Sequence, residues 1–370
     1  MGIVEATRRR GIEFGPGSLT GAIGDSITVI PLVVALALLT GASLPHALAG
    51  FGVFQIVWGV RYGLPVSVEP MKALAALAIA GALTYAELAL AGLILGGLLL
   101  AIGLTGTLAR VERWIGEPVI RGVQLAVGLI LLQTGVDLAI GDPFLAAVGV
   151  AIAALAALAG HRTASALAVA VAGVAIAVVA VGVPAPQWPG APPTPSPSGL
   201  AAAVTRSTAD GVVAQLAMTI GNAALATSLL FADLFDAEVT PDELSASMGA
   251  TNLLAVPLGG IPMCHGCDGV AGKHAFGART GGANVVLGVG YLLAVPFATP
   301  GLLGAFPVAM LGALLAIVAV SLARNALDSE NVALSVAIGL VALATNLGVA
   351  FLLGIVAHLA WERVGDTGDD

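Results

Sequence analysis

The chain has 370 residues, 58% of them hydrophobic and only 10% charged, and its mean hydropathy is +1.02. A soluble globular domain carries about 25% charged residues, so most of this chain lies where charge is costly, and a soluble fold is excluded. The net charge of −8 leaves no basic patch for nucleic acid. The only cysteines, Cys264 and Cys267, sit in one short motif and imply no disulfide framework.

In chain order, the first sixteen residues carry Arg8, Arg9 and Arg10 but no apolar core leading to a small-residue cleavage site, so no cleavable signal peptide is expected. Apolar segments follow at about 19–40, 44–60, 70–82, 85–104, 118–137, 143–160 and 163–183. Most are continuously aliphatic rather than alternating. Stretches of roughly 17–25 such residues span ~30 Å of hydrocarbon as helices. Residues 183–198, VPAPQWPGAPPTPSPS, are too rich in proline for a helix and read as an extended linker. A second set runs at about 209–233, 244–260, 267–280, 283–298, 301–323, 329–344 and 346–361. The expected fold is an all-α polytopic membrane protein with about 14 transmembrane segments. Its organisation is a first seven-segment repeat (1–183), an external Pro-rich linker (184–206) and a second repeat (207–370). Most of the 49 glycines are expected to serve close helix packing.

A shift of 197 positions lays Ile23-Gly24-Asp25 on Ile220-Gly221-Asn222, Gly52 on Gly249, Gly63 on Gly260 and Pro65 on Pro262. An odd number of spans per repeat inverts the second copy in the membrane, a common transporter plan. Arg8–Arg10, Arg61, Arg110, Arg113, His161-Arg162, Arg279 and Arg324 fall on one side under this count, and Asp137 and Asp142 on the other. The positive-inside rule then places both termini in the cytoplasm of a plasma-membrane protein, with Arg206 as the poor fit.

The third segment of each half is unusual. Gly63 to Lys72 read GLPVSVEPMK, and Gly260 to Gly269 read GIPMCHGCDG. A residue before proline is pushed out of helical geometry, and proline suits a first helical turn. Each stretch therefore predicts an extended strand feeding a half-helix, the first beginning near Pro70 and the second running to about Thr280. Half-helices that start mid-membrane aim N–H groups and partial positive charge at the bilayer centre, a backbone-built anion site. The candidate binding residues are Ser67, Val68, Glu69, Pro70, Met71 and Lys72 in the first break, and Cys264, His265, Gly266, Cys267 and Asp268 in the second. Lys273, Gln124 and Asn222 join them. Lys72 either binds the anion or pairs with an acid. Gln55 and Asn252 read as interhelical glue, while Gln124 and Gln215 stand as isolated polar residues on apolar helices. Asp25 and Glu69 are candidates for ion coupling; burial disfavours the charged form of Glu69, so its protonation on anion binding would give proton symport. Cys264, His265, Cys267 and His274 have only one CxxC and loose spacing, so no metal site is expected. No cofactor-binding or catalytic set appears.

These motifs resemble those of the MOT-type molybdate transporters, distant relatives of the SulP sulfate permeases, over nearly the whole chain. The similar stretches are Gly24 to Pro31 (GDSITVIP), Pro65 to Lys72 (PVSVEPMK), Arg121 to Gly128 (RGVQLAVG), Pro262 to Gly272 (PMCHGCDGVAG) and Ala275 to Gly281 (AFGARTG). The resemblance implies a SulP/nucleobase-permease fold of 7+7 inverted repeats with core and gate domains. It also implies a small inorganic oxyanion as substrate, held between the third and tenth segments. Molybdate comes first, with sulfate and tungstate as alternatives. Glu69 stands where the family usually has Gln, Cys267-Asp268 replace Ala-Gly, and Lys273 stands near a usual Gln. Lys72 and Lys273 are expected to offset the two added carboxylates. With the sequence ending at Asp370, the STAS domain usual in SulP permeases is not expected. The competing readings are a nucleobase permease, disfavoured because the eighth segment has its carboxylate, Asp233, only at the inner end, and an anion channel. The expected partners are the small inorganic oxyanion and the lipid bilayer, with a homodimer left open and no nucleic acid.

Overall fold

The computed structural model describes residues 12–108, 110, 115–161 and 164–366. Arg8–Arg10, Arg113, Arg162 and residues 367–370 lie outside the described residues, so the charge pattern that orients the termini is described only in part.

The first half runs α1 (Pro16–Leu39), α2 (Leu44–Tyr62), β1 (Glu69–Pro70), α3 (Lys72–Ile79), α4 (Tyr85–Thr105), α5 (Glu117–Gly141), α6 (Pro143–Leu158) and α7 (Ser165–Val181). A short helix, α8 (Pro197–Ala202), lies inside the stretch expected to be linker, where Ser196 caps its first turn by accepting from the Gly199 N–H. The second half runs α9 (Arg206–Phe235), α10 (Pro241–Ala255), β2 (Met263–Cys264), α11 (Cys267–Ala275), α12 (Gly282–Ala294), α13 (Pro300–Gly304), α14 (Val308–Asn325), α15 (Val332–Ala344) and α16 (Leu347–Asp366).

Four described helices are long and apolar enough to cross a membrane alone, and bent α1 makes a fifth. Large apolar side chains cover the outside: Phe144 is 75% exposed, Leu158 85% and Val179 87%. Polar side chains instead gather in the middle, among them Asp25, Gln55, Ser67, Glu69 and Lys273, each with no exposed surface. Lipid as solvent accounts for this inversion, because a contiguous apolar surface of this size is rare on a soluble monomer. The protein is a multi-pass membrane protein.

Helices pack in two groups. In one, α2 lies against α12, α4 against α10, and α1 against α11 and α12; in the other, α5 lies against α14 and α15, and α6 against α14 and α7. The pairs exchange under the repeat: α2–α12 has its mate in α4–α10, and α1–α11 in α3–α9. Glycine makes the close crossings possible. A Cβ at Gly288 on α12 would stand 2.5 Å from the Gly52 carbonyl oxygen on α2, and one at Gly135 on α5 would stand 2.8 Å from that of Gly312 on α14. Small residues at such crossings let backbones approach without a side chain between them.

The first helix of each half is distorted near the equivalent pair Asp25 and Asn222. α1 bends by 43° after Ile27, whose carbonyl Pro31 leaves without its usual N–H donor. α9 widens into a π-helix over Thr219–Ala226, a feature frequent at functional sites.

Candidate functional site

Both breaks are extended, and they pair with each other. Glu69 opposes Cys264 and Pro70 opposes Met263 in a two-residue antiparallel ladder. Met71 N–H donates to the Pro262 carbonyl at 2.9 Å and continues it. The pairing delays the first half-helix: Pro70 sits in the strand, and α3 begins at Lys72 rather than near Pro70. The second half-helix also ends earlier than expected, at Ala275 rather than about Thr280. Gly277, with φ +98°, supplies the left-handed turn that stops it, as Gly81, with φ +76°, follows the end of α3. The gapless shift slips inside the breaks as well, because the left-handed residue after α2 is Gly63 while after α10 it is Gly259, not Gly260.

At this crossing the structure brings together most of the residues singled out above. The Lys72 ammonium lies 3.0 Å from Glu69 Oε2 and 2.9 Å from Asp268 Oδ2, so one cation joins the starts of the two half-helices. Lys72 and Glu69 are buried, and the Asp268 side chain keeps 29% exposure. Ser67 donates its hydroxyl to Asp25 and reaches Glu69 Oε1 at 3.3 Å. The Glu69 carboxylate also lies against Gly266, the residue preceding α11, so closely that a Cβ there would overlap it.

Lys273, expected to offset the added carboxylates beside Lys72, is committed elsewhere. Its ammonium pairs with Asp25 at 2.9 Å. It also donates to Gln55 Oε1 at 2.9 Å, the Val66 carbonyl at 2.6 Å and Asn284 Oδ1 at 3.1 Å. Gly24 and Gly272 allow this pairing: a Cβ at Gly24 would stand 2.6 Å from the Gly272 carbonyl oxygen, so α1 and α11 cross there nearly in backbone contact.

His265 is pinned rather than presented. Its Nδ1 lies 2.7 Å from the Ser67 carbonyl, which only accepts, so Nδ1 carries the proton. Nε2 then accepts from the Ser247 hydroxyl at 2.7 Å, and Trp58 and Tyr62 stand edge-on to the ring. His274 packs instead on Phe235. Cys267 donates to Asn222 Oδ1 at 2.7 Å, which draws the π-helical stretch of α9 to the start of α11. Cys264 is buried with its thiol toward the Pro70 carbonyl at 3.8 Å. Val68 and Met71 are buried in the same break. Gln124 is buried on α5, where it accepts from Arg121 at 3.4 Å, and no described hydrogen bond links it to this cluster.

Gln215 caps α3. Its Oε1 accepts from the Ala73 N–H at 2.9 Å and the Leu74 N–H at 3.4 Å, so part of that helix's N-terminal donor set is already satisfied by protein. Gln55 belongs to the Lys273 cluster rather than to general helix packing. Asn252 grips the second break through both the N–H and the carbonyl of Met263. Asn284 carried no sequence signal: it is one Asn in an apolar helix, and only the fold brings it to Lys273.

A family model described as "Molybdate transporter of MFS superfamily" matches residues 17–131 and 207–322, one stretch in each half and together more than half of the chain. The chain is 34% identical over 161 residues to Molybdate transporter 1 of Arabidopsis thaliana, covering 41% of this chain and 35% of that protein. It is 35% identical over 167 residues to Molybdate transporter 1 of Chlamydomonas reinhardtii, covering 40% and 32%. The chain thus aligns with about a third of the length of these curated relatives. Among solved structures, the transmembrane domain of the cyanobacterial bicarbonate transporter BicA superposes with a TM-score of 0.67 at 18% identity, over 93% of this chain and 97% of that one. The murine anion transporter Slc26a9, in its inward-facing state, superposes with a TM-score of 0.69 at 15% identity, over 94% and 68%. At these identities the structural likeness is one of fold.

Proposed function

The chain belongs to the molybdate transporter family whose model spans both of its halves, and from that premise we propose that it is a secondary active transporter of a tetrahedral oxyanion. Molybdate is the first substrate, tungstate and sulfate are the alternatives, and the mode is alternating access. The observation that carries this reading is the buried Lys72 ammonium between Glu69 and Asp268, where the two half-helices begin. A tetrahedral dianion needs positive charge and converging donors. Lys72 and the N–H groups at the start of α11 supply that set, while the Ser67 hydroxyl is given to Asp25. The molybdate transporters among its relatives and the fold shared with an anion transporter point the same way.

Glu69 gives the site its coupling. Its carboxylate rests against Gly266 at the start of α11, within 3.0 Å of Lys72, which is where a bound oxyanion would place an oxygen. A second anion cannot share that position with a charged carboxylate. Substrate entry therefore requires Glu69 to take a proton or swing away, and protonation makes the movement of anion and proton one event.

Competition uptake with molybdate, tungstate and sulfate in proteoliposomes at two pH values tests the reading. Uptake of at least one, higher at the lower pH, is expected; if none is bound or transported, the oxyanion assignment fails. Glu69→Gln restores the side chain usual in the resembling family, and uptake should then persist with its pH dependence flattened. An unchanged pH profile would reject the proton role of Glu69.

A further inference from the structure

Lys273 is held unlike any other cation described in the chain. Four oxygens converge on an ammonium that has three protons to give: Asp25 Oδ2, Gln55 Oε1, the Val66 carbonyl and Asn284 Oδ1, at 2.6–3.1 Å. Asp25, Gln55, Lys273 and Asn284 are all fully buried, and so is Val66. The amide oxygens are not free to turn away. Gln55 Nε2 is spent on Asp25 and on the Val68 carbonyl at 3.1 Å. Asn284 Nδ2 is spent on the Val66 carbonyl and on Gln55 Oε1 at 2.7 Å. With their donors committed, both amides must present oxygen to the centre.

One carboxylate, two side-chain amide oxygens and one main-chain carbonyl are the ligand types that bind hard cations. The single carboxylate balances a single positive charge, which suits an alkali cation rather than a divalent one. We propose that Lys273 is a tethered cation filling an alkali-cation site, so that its ammonium replaces a free coupling ion, and that shortening the side chain opens this site to Na⁺. The cage spans α1, α2, the first break and α12, while the lysine reaches it from α11. Filling it with a covalently attached charge ties α11 to the first break without any dissolved cation. This inference rests on the transport reading for its consequence but not for its test.

The test uses the full chain in detergent and in proteoliposomes, as wild type, Lys273→Ala and Lys273→Met. The first readouts contain no oxyanion: binding of radioactive Na⁺, and the melting midpoint in sodium chloride against choline chloride. Lys273→Ala should bind Na⁺ saturably and melt higher in sodium. Wild type should show neither effect, and Lys273→Met, whose side chain refills the space without charge, should show neither. Molybdate uptake by wild type should be equal in the two salts. That of Lys273→Ala should fall roughly tenfold in choline, one charge-assisted contact's worth, and recover in sodium. Lys273→Ala indifferent to Na⁺, K⁺ and Li⁺ in binding and melting would overturn the proposal. So would a wild type that requires sodium, which decides the matter even if Lys273→Ala cannot be recovered in either salt. A failure of molybdate, tungstate and sulfate uptake in every variant, with the Na⁺ response intact, would sink the oxyanion reading alone.

Discussion

The two half-helices carry one lysine each toward the centre of the protein, and the surroundings of those lysines differ. Lys72, at the start of α3, meets two carboxylates, and one of them, Asp268, keeps 29% side-chain exposure. Lys273, in the second turn of α11, meets one carboxylate and three neutral oxygens, with no exposed surface at all. A cation over-matched by two anions at a partly accessible place can exchange a partner for an incoming anion. A cation enclosed by a balanced oxygen cage has nothing to gain by exchange and serves to hold position. The fold is thus two-fold in its backbone and one-sided in its chemistry, which is the basis for proposing the site at Lys72 and the clamp at Lys273.

The comparison breaks most visibly at Asp25. Asp25→Ala leaves the Lys273 ammonium buried with its only carboxylate gone, a loss worth about 3–5 kcal/mol. A sharp drop in melting midpoint is expected, and combining it with Lys273→Met should recover much of it. A mild single mutant, or a double mutant no better, would show that the pair is not a clamp. The next effect belongs to Lys72. Lys72→Ala should weaken molybdate binding about a hundredfold, close to 2.7 kcal/mol, while Arg110→Ala, on an exposed residue, should leave it within twofold or so. Equal small effects would remove Lys72 from the site. The smallest effect is at Gln215. Gln215→Leu strips the side-chain acceptor from the Ala73 and Leu74 N–H groups and should cost about 1–2 kcal/mol of stability. Tighter anion binding in the same variant would mean that those N–H groups face the substrate path, and an unchanged melting midpoint would mean that the cap is idle.

The positions of both breaks are legible in the sequence alone. Pro65, Pro70 and Pro262 mark them through local backbone rules, whereas the stop of the second half-helix at Gly277 is missed, the apolar run reading on to about Thr280. The starting residue of α3 is not legible, because it depends on Glu69 and Pro70 pairing with Cys264 and Met263, residues from the other half of the chain. Among site residues, Ser67, Glu69, Lys72 and Asp268 stand out as polar groups where polarity is expensive. Gln55 reads as ordinary interhelical glue and Asn284 draws no notice, since a lone amide in an apolar helix does not say which residue it faces.

Composition and the spacing of proline and glycine were enough to set the solvent, the helical class and the two interruptions, because hydropathy and backbone sterics act within a few residues of where they are written. The pairing of charges was settled by the tertiary structure. Asp25 and Lys273 are 248 positions apart, and they meet because Gly24 and Gly272 let α1 and α11 cross nearly in contact. Lys72 likewise finds Asp268 across the paired breaks. How many oxygens surround each lysine, on which the proposed division between anion site and clamp rests, is a number that exists only once the two halves have packed.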